Sequence, residues 1–202
     1  GPIVCTSAGL FGVIAANSSI KNLTVEGNIV LNYVRPADVA DYWLYVGGVV
    51  GQNYGGDMEN ITNKVAITSS ESHVNKTRVG GVVGRFAADA DIHAENLVNE
   101  CDIKVSNHGT TGYELIVGGV IGIVGDGDEY EYEVVDLVNN GDVTVNATAN
   151  GLVGGVIGYM TRASEKDGIF ENCVNNGDVT VVAQIESSIG GIVFLFFLKM
   201  CF

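Results

Sequence analysis

The densest group of carboxylates in the sequence is the run GDGDEYEYE at 125–133. Carboxylate oxygens are the ligands that Ca²⁺ prefers, and two carboxylates across a sugar site are the machinery of glycosidases. The candidate metal ligands are Asp126, Asp128 and Glu131. The run lacks the full Asp-x-Asp-x-Asp-Gly loop and the distal bidentate glutamate of a calcium site. We therefore interpret it as a solvated loop. Metal binding, catalysis, and contact of its tyrosines with a sugar or protein partner are the alternatives.

Other signatures of catalysis are absent from the sequence. It contains no Gly-x-Ser-x-Gly elbow, no His-Glu-x-x-His zinc motif, no phosphate loop and no dinucleotide fingerprint. The histidines, His73, His93 and His108, fall in linkers or beside a turn and share no repeat position. These patterns predict a protein that is not an enzyme and that carries no cofactor.

The four cysteines, Cys5, Cys101, Cys173 and Cys201, form no Cys-x-x-Cys motif. Cys101 and Cys173 occupy different positions of the repeat described below, two repeats apart, and a disulfide needs Cα atoms within roughly 7 Å. We expect no disulfide between them, and we expect Cys173 to be an inert core residue.

The charge of the chain is strongly acidic, with 24 Asp plus Glu against 10 Lys plus Arg, a formal net charge of −14. The basic residues do not cluster along the sequence, whereas binding to a phosphate backbone or an anionic bilayer draws on concentrated positive charge. Nucleic acid and membrane are therefore not expected partners. The apolar segment 189–202, at 14 residues, is shorter than the roughly 20 that span a bilayer. We predict that it is a buried terminal coil, with the stub of a longer chain or anchor as the alternative.

Two segments recur along the chain. The first is an apolar glycine segment, typified by VGGVIG at 153–158, whose copies start near 8, 47, 80, 118 and 154, with a partial sixth at 190. The steps of 33 to 39 residues are typical of repeat architectures and predict one elongated repeat domain spanning 1–202. Its apolar residues on both sides of the glycines predict a strand covered on both faces. The repeat glycines are Gly9, Gly12, Gly47, Gly48, Gly51, Gly80, Gly81, Gly84, Gly118, Gly119, Gly122, Gly154, Gly155, Gly158, Gly190 and Gly191.

The second recurring segment is rich in asparagine and is typified by FENCVNNGDVTV at 170–181. Its end alternates apolar and polar residues with the two-residue period of a half-buried strand. Asn-Asn-Gly-Asp at 139–142 and 175–178 is turn chemistry, because Asn and Gly tolerate positive φ. One position of this segment is nearly constant, and we expect its side chains to point inward and to form a ladder from repeat to repeat. The ladder residues are Asn22, Asn60, Asn96, Asp136 and Asn172.

These repeats predict an all-β protein, since no stretch shows sustained helical spacing. In a parallel β-helix-like solenoid of about five repeats, equivalent residues stack about 4.8 Å apart, which explains the ungapped asparagine segment. The alternative is a propeller-like arrangement of antiparallel repeats, because Asn-Gly between alternating strands is also a hairpin signal. We favour the solenoid.

The sequence resembles the GLUG-motif repeat family. Gly9-Leu10-Phe11-Gly12 matches the Gly-Leu-x-Gly core literally, later copies carry Val at the Leu position, and ENCVNNGDV at 171–179 is similar to the flanking consensus. The resemblance covers essentially the whole chain. It implies a repeat of secreted or surface-anchored proteins, including adhesin-like proteins and the non-catalytic parts of bacterial immunoglobulin-A peptidases, with no catalytic residues of its own.

Five Asn-x-Ser/Thr sequons make glycosylation an expectation if the source is a secreting eukaryote. Asn17, Asn75 and Asn146 are the better candidates. Asn22 and Asn60 are the weaker ones, because the ladder is expected to turn them inward.

The most consistent function is a non-catalytic structural or adhesive module on the outside of a cell, acting as a rigid spacer or stalk. The alternative is a carbohydrate-binding or carbohydrate-active β-helix. Neither end of the sequence carries a polar cap, so the exposed strand edges predict end-to-end contacts with identical or homologous chains, which propagate as a filament if the contact does not close. A host protein or glycan is the other candidate partner.

Overall fold

The computed structural model describes residues 3–34, 41–73, 76–87, 90–107, 114–125, 130–148, 150–160, 169–183 and 187–195. Every regular element in these ranges is a β-strand, and the strands pair in parallel. The predicted all-β solenoid is confirmed. Antiparallel propeller blades, the alternative, are wrong for this chain.

The strands form three parallel sheets. In the described residues sheets 1 and 2 have six strands each, and sheet 3 is built from longer or divided strands. Sheet 1 consists of β1 (Ile3–Ala8), β4 (Asp41–Gly47), β7 (Lys76–Gly80), β11 (Glu114–Gly118), β15 (Asn150–Gly154) and β20 (Ser187–Gly190). Sheet 2 consists of β2 (Phe11–Ile14), β5 (Val50–Asn53), β8 (Val83–Phe86), β12 (Ile121–Val124), β16 (Ile157–Met160) and β21 (Val193–Leu195). Sheet 3 consists of β3 (Ser19–Val34), β6 (Asp57–His73), β9 (Ile92–Asn99), β10 (Ile103–Asn107), β13 (Tyr132–Asn139), β14 (Val143–Ala147), β17 (Ile169–Glu171), β18 (Val174–Asn175) and β19 (Val179–Ala183).

Each coil runs through the sheets in the order 1, 2, 3. The register between coils is the one that the repeats predict: Gly118 pairs with Gly154, and Val143 lies opposite Val179. At about 4.8 Å between parallel strands, six layers extend about 24 Å along the solenoid axis. Every step along the axis therefore places the same repeat position over its predecessor.

The glycine segment is a corner between two sheets, so the predicted single strand covered on both faces is wrong. β4 ends at Gly47, the chain bends at Gly48 and Val49, and β5 begins at Val50. Val46 lies in one buried cluster, with Leu44 and Ile67, whereas Val49 and Val50 lie in another. The apolar residues flanking the glycines are therefore buried in two separate compartments on either side of the corner.

The two buried clusters divide the interior. One lies between sheet 2 and the first half of sheet 3, and includes Phe86, Ile92 and Leu97. The other lies between sheet 1 and the second half of sheet 3, and includes Ile103 and Val105. In the sheet 3 strands β10 and β14 the buried residues alternate with outward ones, as the two-residue period predicts.

Sheets 1 and 2 also pack against each other on their other faces. A Cβ added at Gly84 in sheet 2 would lie 2.6 Å from the amide nitrogen of Val46 in sheet 1 of the preceding coil. Only a residue without a side chain allows this approach. Along this contact lies a row of side chains that we call the outer seam, all of them buried except the half-buried Arg85. It contains Tyr45, Arg78 and Ile116 from sheet 1 with Gln52, Arg85 and Ile123 from sheet 2.

None of the described residues forms a helix long and apolar enough to cross a membrane. At the C-terminal end, β20 and β21 place the first residues of the predicted terminal coil in sheets 1 and 2. Ile189 and Ile192 are 54% and 38% exposed, so the predicted burial is wrong for these residues. Residues 196–202 lie outside the described residues, so the rest of that prediction is not addressed by the structure.

Candidate functional site

The predicted asparagine ladder is on the surface of the solenoid, so its expected inward orientation is wrong. Asn60 Nδ2 donates to Asn22 Oδ1 at 3.1 Å, Asn96 Nδ2 to Asn60 Oδ1 at 2.9 Å, and Asn172 Nδ2 to Asp136 Oδ1 at 2.9 Å. The four asparagines are exposed and Asp136 is half-buried. The column is Asn or Asp because the backbone there is left-handed, with φ between 53° and 57° at all five residues. Asn and Asp adopt this conformation more readily than other residues with a side chain.

This exposure changes the ranking of the sequons. Asn22 and Asn60 are as exposed as Asn17 and Asn146, so burial does not separate them. The Asn60 amide nitrogen is nevertheless a ladder donor, and a glycan on that nitrogen would replace one of its two N–H bonds. Asn75 lies outside the described residues.

A second asparagine ladder, which the sequence did not predict, runs through the interior where sheet 3 bends. Asn63 donates to Asn99, Asn99 to Asn139 and Asn139 to Asn175, each through Nδ2 to Oδ1 at 2.8 Å. The first three residues are buried, and Asn175 is half-buried. We call this row the buried ladder. Its members stand three residues after the surface column, a recurrence that was visible in the sequence but was interpreted at Asn139 and Asn175 as turn chemistry.

The buried ladder also forms the bend itself. Each side-chain Nδ2 donates to the carbonyl oxygen two residues ahead: Asn99 to Cys101 at 2.7 Å and Asn139 to Gly141 at 2.7 Å. The expected positive φ is absent from 139–142 and 175–178. Gly141 is instead required by stacking, because a Cβ there would lie 2.1 Å from the Cys101 carbonyl oxygen. The amide side chain therefore replaces a left-handed turn.

The glycine corner fits directly against the buried ladder. A Cβ on Gly81 would lie 2.5 Å from Asn99 Cγ, and one on Gly119 would lie 2.4 Å from Asn139 Cγ. The second glycine of each pair therefore lets the corner contact the asparagine amide. The glycine corner and the amide together separate the two buried clusters. The same pairing holds for Gly48 with Asn63 and Gly155 with Asn175.

Aromatic and basic side chains from different strands lie together at the solvent-facing edge of the outer seam, which we call its mouth. Lys76 Nζ lies 3.9 Å from the centroid of the Trp43 ring, and Arg85 Cζ lies 5.1 Å from that of Tyr45. Arg78 Cζ is 5.5 Å from the Trp43 centroid. The basic residues are dispersed along the sequence, but the fold brings three of them together. Cations over aromatic faces are attracted by the ring quadrupole, so this cluster is held by cation–π contacts.

Hydrogen bonds and an ion pair complete the seam. Arg78 Nη2 is 2.6 Å from Glu114 Oε2, with the Arg78 side chain only 5% exposed and that of Glu114 35% exposed. Gln52 bridges the seam: its Nε2 donates to Ser7 Oγ, and its Oε1 accepts from Arg85 Nη1 at 3.1 Å. The carboxylate of Glu114 is therefore the ion-pair partner of the buried Arg78 side chain. Chemically, the half-buried side chains of Trp43, Lys76 and Arg85 are suited to an anionic or ring-bearing ligand.

One known family model matches a segment of the chain that contains a glycine corner and one residue of each ladder. The model of the GLUG motif matches residues 44–68, which run from Leu44 in β4 through the glycine corner and β5 into β6. The chain carries the GLUG motif. No curated protein and no solved structure matches the chain. The matched coil contains the corner glycines together with Asn60 of the surface ladder and Asn63 of the buried ladder, so the GLUG coil is the unit in which corner and ladders meet.

The remaining candidates lie elsewhere on the solenoid. His93 lies in strand β9, where sequence analysis had placed a linker or a turn margin, and its Nδ1 is 3.0 Å from Glu133 Oε2. Lys21 donates to Glu59 at 2.6 Å on the same face, and this bond raises the pKa of the lysine. Among the residues that the structure covers, no three His, Cys, Asp or Glu side chains are grouped so that they could hold a metal ion.

The predicted carboxylate site is only partly covered by the structure. Glu131 is exposed, and its backbone N–H donates to Asp91 Oδ1 at 2.9 Å. Asp126 and Asp128 lie outside the described residues. A different row of carboxylates stacks at the sheet 3 bend, where Asp102 accepts from the Asp142 backbone N–H and Asp142 from that of Asp178, at 3.0 and 2.9 Å. The Asp102 and Asp142 carboxylates serve as hydrogen-bond acceptors between coils.

The cysteines that the structure describes, Cys5, Cys101 and Cys173, are free. Cys173 packs against the buried cluster that contains Leu137. The two residues occupy the same repeat position in successive coils. Burial raises the pKa of the Cys173 thiol, which keeps it protonated at neutral pH. A protonated thiol is a weak nucleophile, as expected of an inert residue. Cys173 is half-buried at the margin of the cluster, however, and is not the core residue that the sequence predicted.

Proposed function

We propose that the chain is a non-catalytic structural module of an extracellular or cell-surface protein, in which it acts as a rigid spacer or adhesive segment. The observation that carries this proposal is the pair of side-chain ladders that, between them, link the first five coils one to the next. In addition to three parallel sheets, a surface ladder and a buried ladder tie equivalent residues across coils. Side-chain amide ladders of this kind resist shear between layers, because sliding one coil breaks every rung.

The reach of one such module is short. Six layers give about 24 Å, so a spacer function needs several modules in series. The apolar ends support this requirement. Leu10 and Ile192 are 55% and 38% exposed, whereas Val82 and Val120, at the same repeat position in inner coils, are 0% exposed. We propose that identical or homologous chains cover these ends.

The extracellular location rests on the resemblance to secreted and surface-anchored GLUG proteins and on the acidic surface, which favours solubility. Non-catalytic behaviour rests on the role of the stacked polar side chains, whose amides and carboxylates are used as contacts between coils.

Force spectroscopy on several copies of the chain joined in tandem tests the spacer role. We expect each module to stay folded until one cooperative rupture that releases its full contour length. The Asn99→Leu variant should rupture at lower force, and the variant Asn176→Ala, at an exposed asparagine, should not. Gradual lengthening of the wild type at low force would contradict the proposal. Fractionation of the source cells tests the location, and recovery of the chain inside the cytosol would contradict it.

Binding of acidic carbohydrate is the second candidate function, and the Trp43 cluster favours it. Aromatic rings with adjacent cations are suited to sugars that carry carboxylate groups, through stacking and ion pairing. A glycan array tests this role. Binding lost in Trp43→Ala and Lys76→Met but retained in Lys104→Met would establish it, and turnover of the bound glycan would establish the carbohydrate-active alternative.

A further inference from the structure

Two Asn-Gly dipeptides are stacked at the bend of sheet 3. Asn140-Gly141 follows β13, and Asn176-Gly177 occupies the same place in the next coil. Both dipeptides lie outside the strands, and both asparagines are exposed. Stacking excludes a side chain at both glycines. The backbone nitrogen that follows each asparagine therefore belongs to the residue that hinders its approach to the side-chain amide least.

The side-chain amide of Asn140 is held by both neighbouring coils. Its Oδ1 accepts from Asn176 Nδ2 at 2.8 Å, and its Nδ2 donates to Glu100 Oε1 at 3.4 Å. Attack of the Gly141 nitrogen on the amide carbon develops negative charge on Oδ1, the atom that already accepts a hydrogen bond. Such a bond is roughly twice as strong to an ionised oxygen as to a neutral one. The Asn176 donor therefore stabilises the transition state more than the ground state.

We propose that Asn140 is a self-modification site, at which the chain converts this residue to aspartate or isoaspartate through a cyclic imide. The Gly141 nitrogen forms a bond to Asn140 Cγ, and the Cγ–Nδ2 bond breaks. The proton of the Gly141 N–H leaves with the amide group as ammonia. Water then opens the imide at either of its carbonyls. The reaction is a hydrolysis overall, with water as its only co-reactant.

The modification weakens the bend where the coils stack. A carboxylate at position 140 has no N–H to donate to Glu100, so two carboxylates face each other where one hydrogen bond now joins the coils. Asp142, also exposed, lies close by on the same coil and adds to the repulsion. Isoaspartate also inserts the side-chain methylene into the main chain, next to the point where Gly141 packs closely on the Cys101 carbonyl oxygen. The site is thus a slow, irreversible switch that loosens one coil from the next.

A third Asn-Gly dipeptide, Asn150-Gly151, supplies an internal comparison. Asn150 is exposed like Asn140, but both of its residues lie in β15 and pair with β11 in the regular parallel register. Closing the imide ring requires the asparagine backbone to leave the extended conformation, which pairing in the sheet opposes. The dipeptide sequence alone would treat the two sites alike, whereas the structure favours reaction at Asn140.

Peptide mass spectrometry of the folded chain, incubated in mildly alkaline heavy-oxygen water, tests the proposal. Heavy oxygen enters only residues that convert during the incubation, and the chain in urea gives the rate of each sequence without the fold. Relative to those rates, we expect Asn140 to convert at least about threefold faster than Asn150, and Asn176→Ala to slow Asn140 about three- to tenfold, the effect of one lost hydrogen bond. Asn172→Ala alters the same coil at the residue that donates to Asp136, and should leave the Asn140 rate unchanged.

The direction of the Asn176→Ala effect separates the two roles open to this residue. If its hydrogen bond only restrained the Asn140 side chain, removing the bond would speed the reaction. A faster or unchanged rate in Asn176→Ala would therefore overturn the proposal, and so would conversion of Asn150 ahead of Asn140. Asn140→Asp, which copies one product, should unfold at a lower urea concentration than the wild type, and an equal midpoint would overturn the switch. These readouts are independent of the spacer role and of location.

Discussion

The side-chain amide of Asn99 lies against Gly81 so closely that a Cβ on the glycine would be 2.5 Å from Asn99 Cγ. The contact joins the glycine corner of one segment to the buried ladder of the other. It explains why both segments recur together in each repeat, because a change in either one alters the same point of the interior.

Replacement of Gly81 by alanine is expected to destabilise the protein by about 3 kcal/mol or more, since the added methyl overlaps both Asn99 and the Gly119 carbonyl oxygen at 2.2 Å. Gly191→Ala is the matched control, because Gly191 occupies the same repeat position in the last layer and a Cβ there meets nothing within 4 Å. Urea unfolding measures both variants. Equal stability of the two would show that the corner does not need its glycine.

The variant Asn99→Leu should lower the free energy of unfolding by about 2 to 4 kcal/mol, because it removes one hydrogen bond from a buried amide in each of the two adjacent coils and the bond to the Cys101 carbonyl oxygen. Asn176→Ala removes one exposed bond, to Asn140, and should change stability by less than about 1 kcal/mol. Hydrogen exchange of the bend amides, compared between these variants, checks the cause. A buried ladder that only fills space would tolerate leucine.

Asp136→Asn is expected to stabilise the protein by about 0.5 to 1 kcal/mol. The carboxylate accepts from Asn172 but has no N–H to offer Asn96, and an amide in its place supplies the missing rung. Asp178→Asn, which removes the same charge from an exposed turn, controls for net charge. Thermal unfolding decides the matter: equal gains from both variants would attribute the effect to charge alone.

Lys76→Met should shift the emission of the chain's single tryptophan, because the ammonium group lies over the Trp43 ring. The expected loss of stability is small, about 0.5 to 1 kcal/mol. Lys104→Met, on the exposed face of β10, should leave the spectrum unchanged. An unaltered spectrum in Lys76→Met would place the lysine away from the ring in solution.

Alkaline pH should weaken the fold in part through Cys173. Its pKa in the folded chain is raised above the ordinary thiol value of about 9.0 by burial. Its contribution is therefore fully present below pH 9 and is lost as the pH rises through the higher folded-state value. The stability difference between wild type and Cys173→Val should change above pH 9 and stay constant below it. At pH 8, iodoacetamide should label Cys173 more slowly in the folded chain than in urea.

Sequence periodicity was sufficient for the architecture. Parallel stacking places each residue over its repeat equivalent, so the register of Val143 with Val179 and the surface column from Asn22 to Asn172 could be predicted from spacing. Glycines 48, 81, 119 and 155 were also identified as repeat positions. The sequence did not reveal that these glycines form a corner. Apolar residues on the two sides of a glycine look alike in sequence, whether they enter one buried cluster or two.

What the sequence determined by itself is therefore the set of columns, since a repeat of nearly constant length fixes which residues stack. Only the tertiary structure decided which columns face inward. The surface ladder is outward because its backbone is left-handed, and the neighbouring buried ladder is inward because sheet 3 bends there around an amide. The cluster of Trp43, Lys76 and Arg85 was likewise beyond the sequence. Trp43 and Lys76 are opposite each other on adjacent strands of sheet 1, whereas Arg85 of sheet 2 reaches the Tyr45 ring where Gly84 lets the two sheets pack closely.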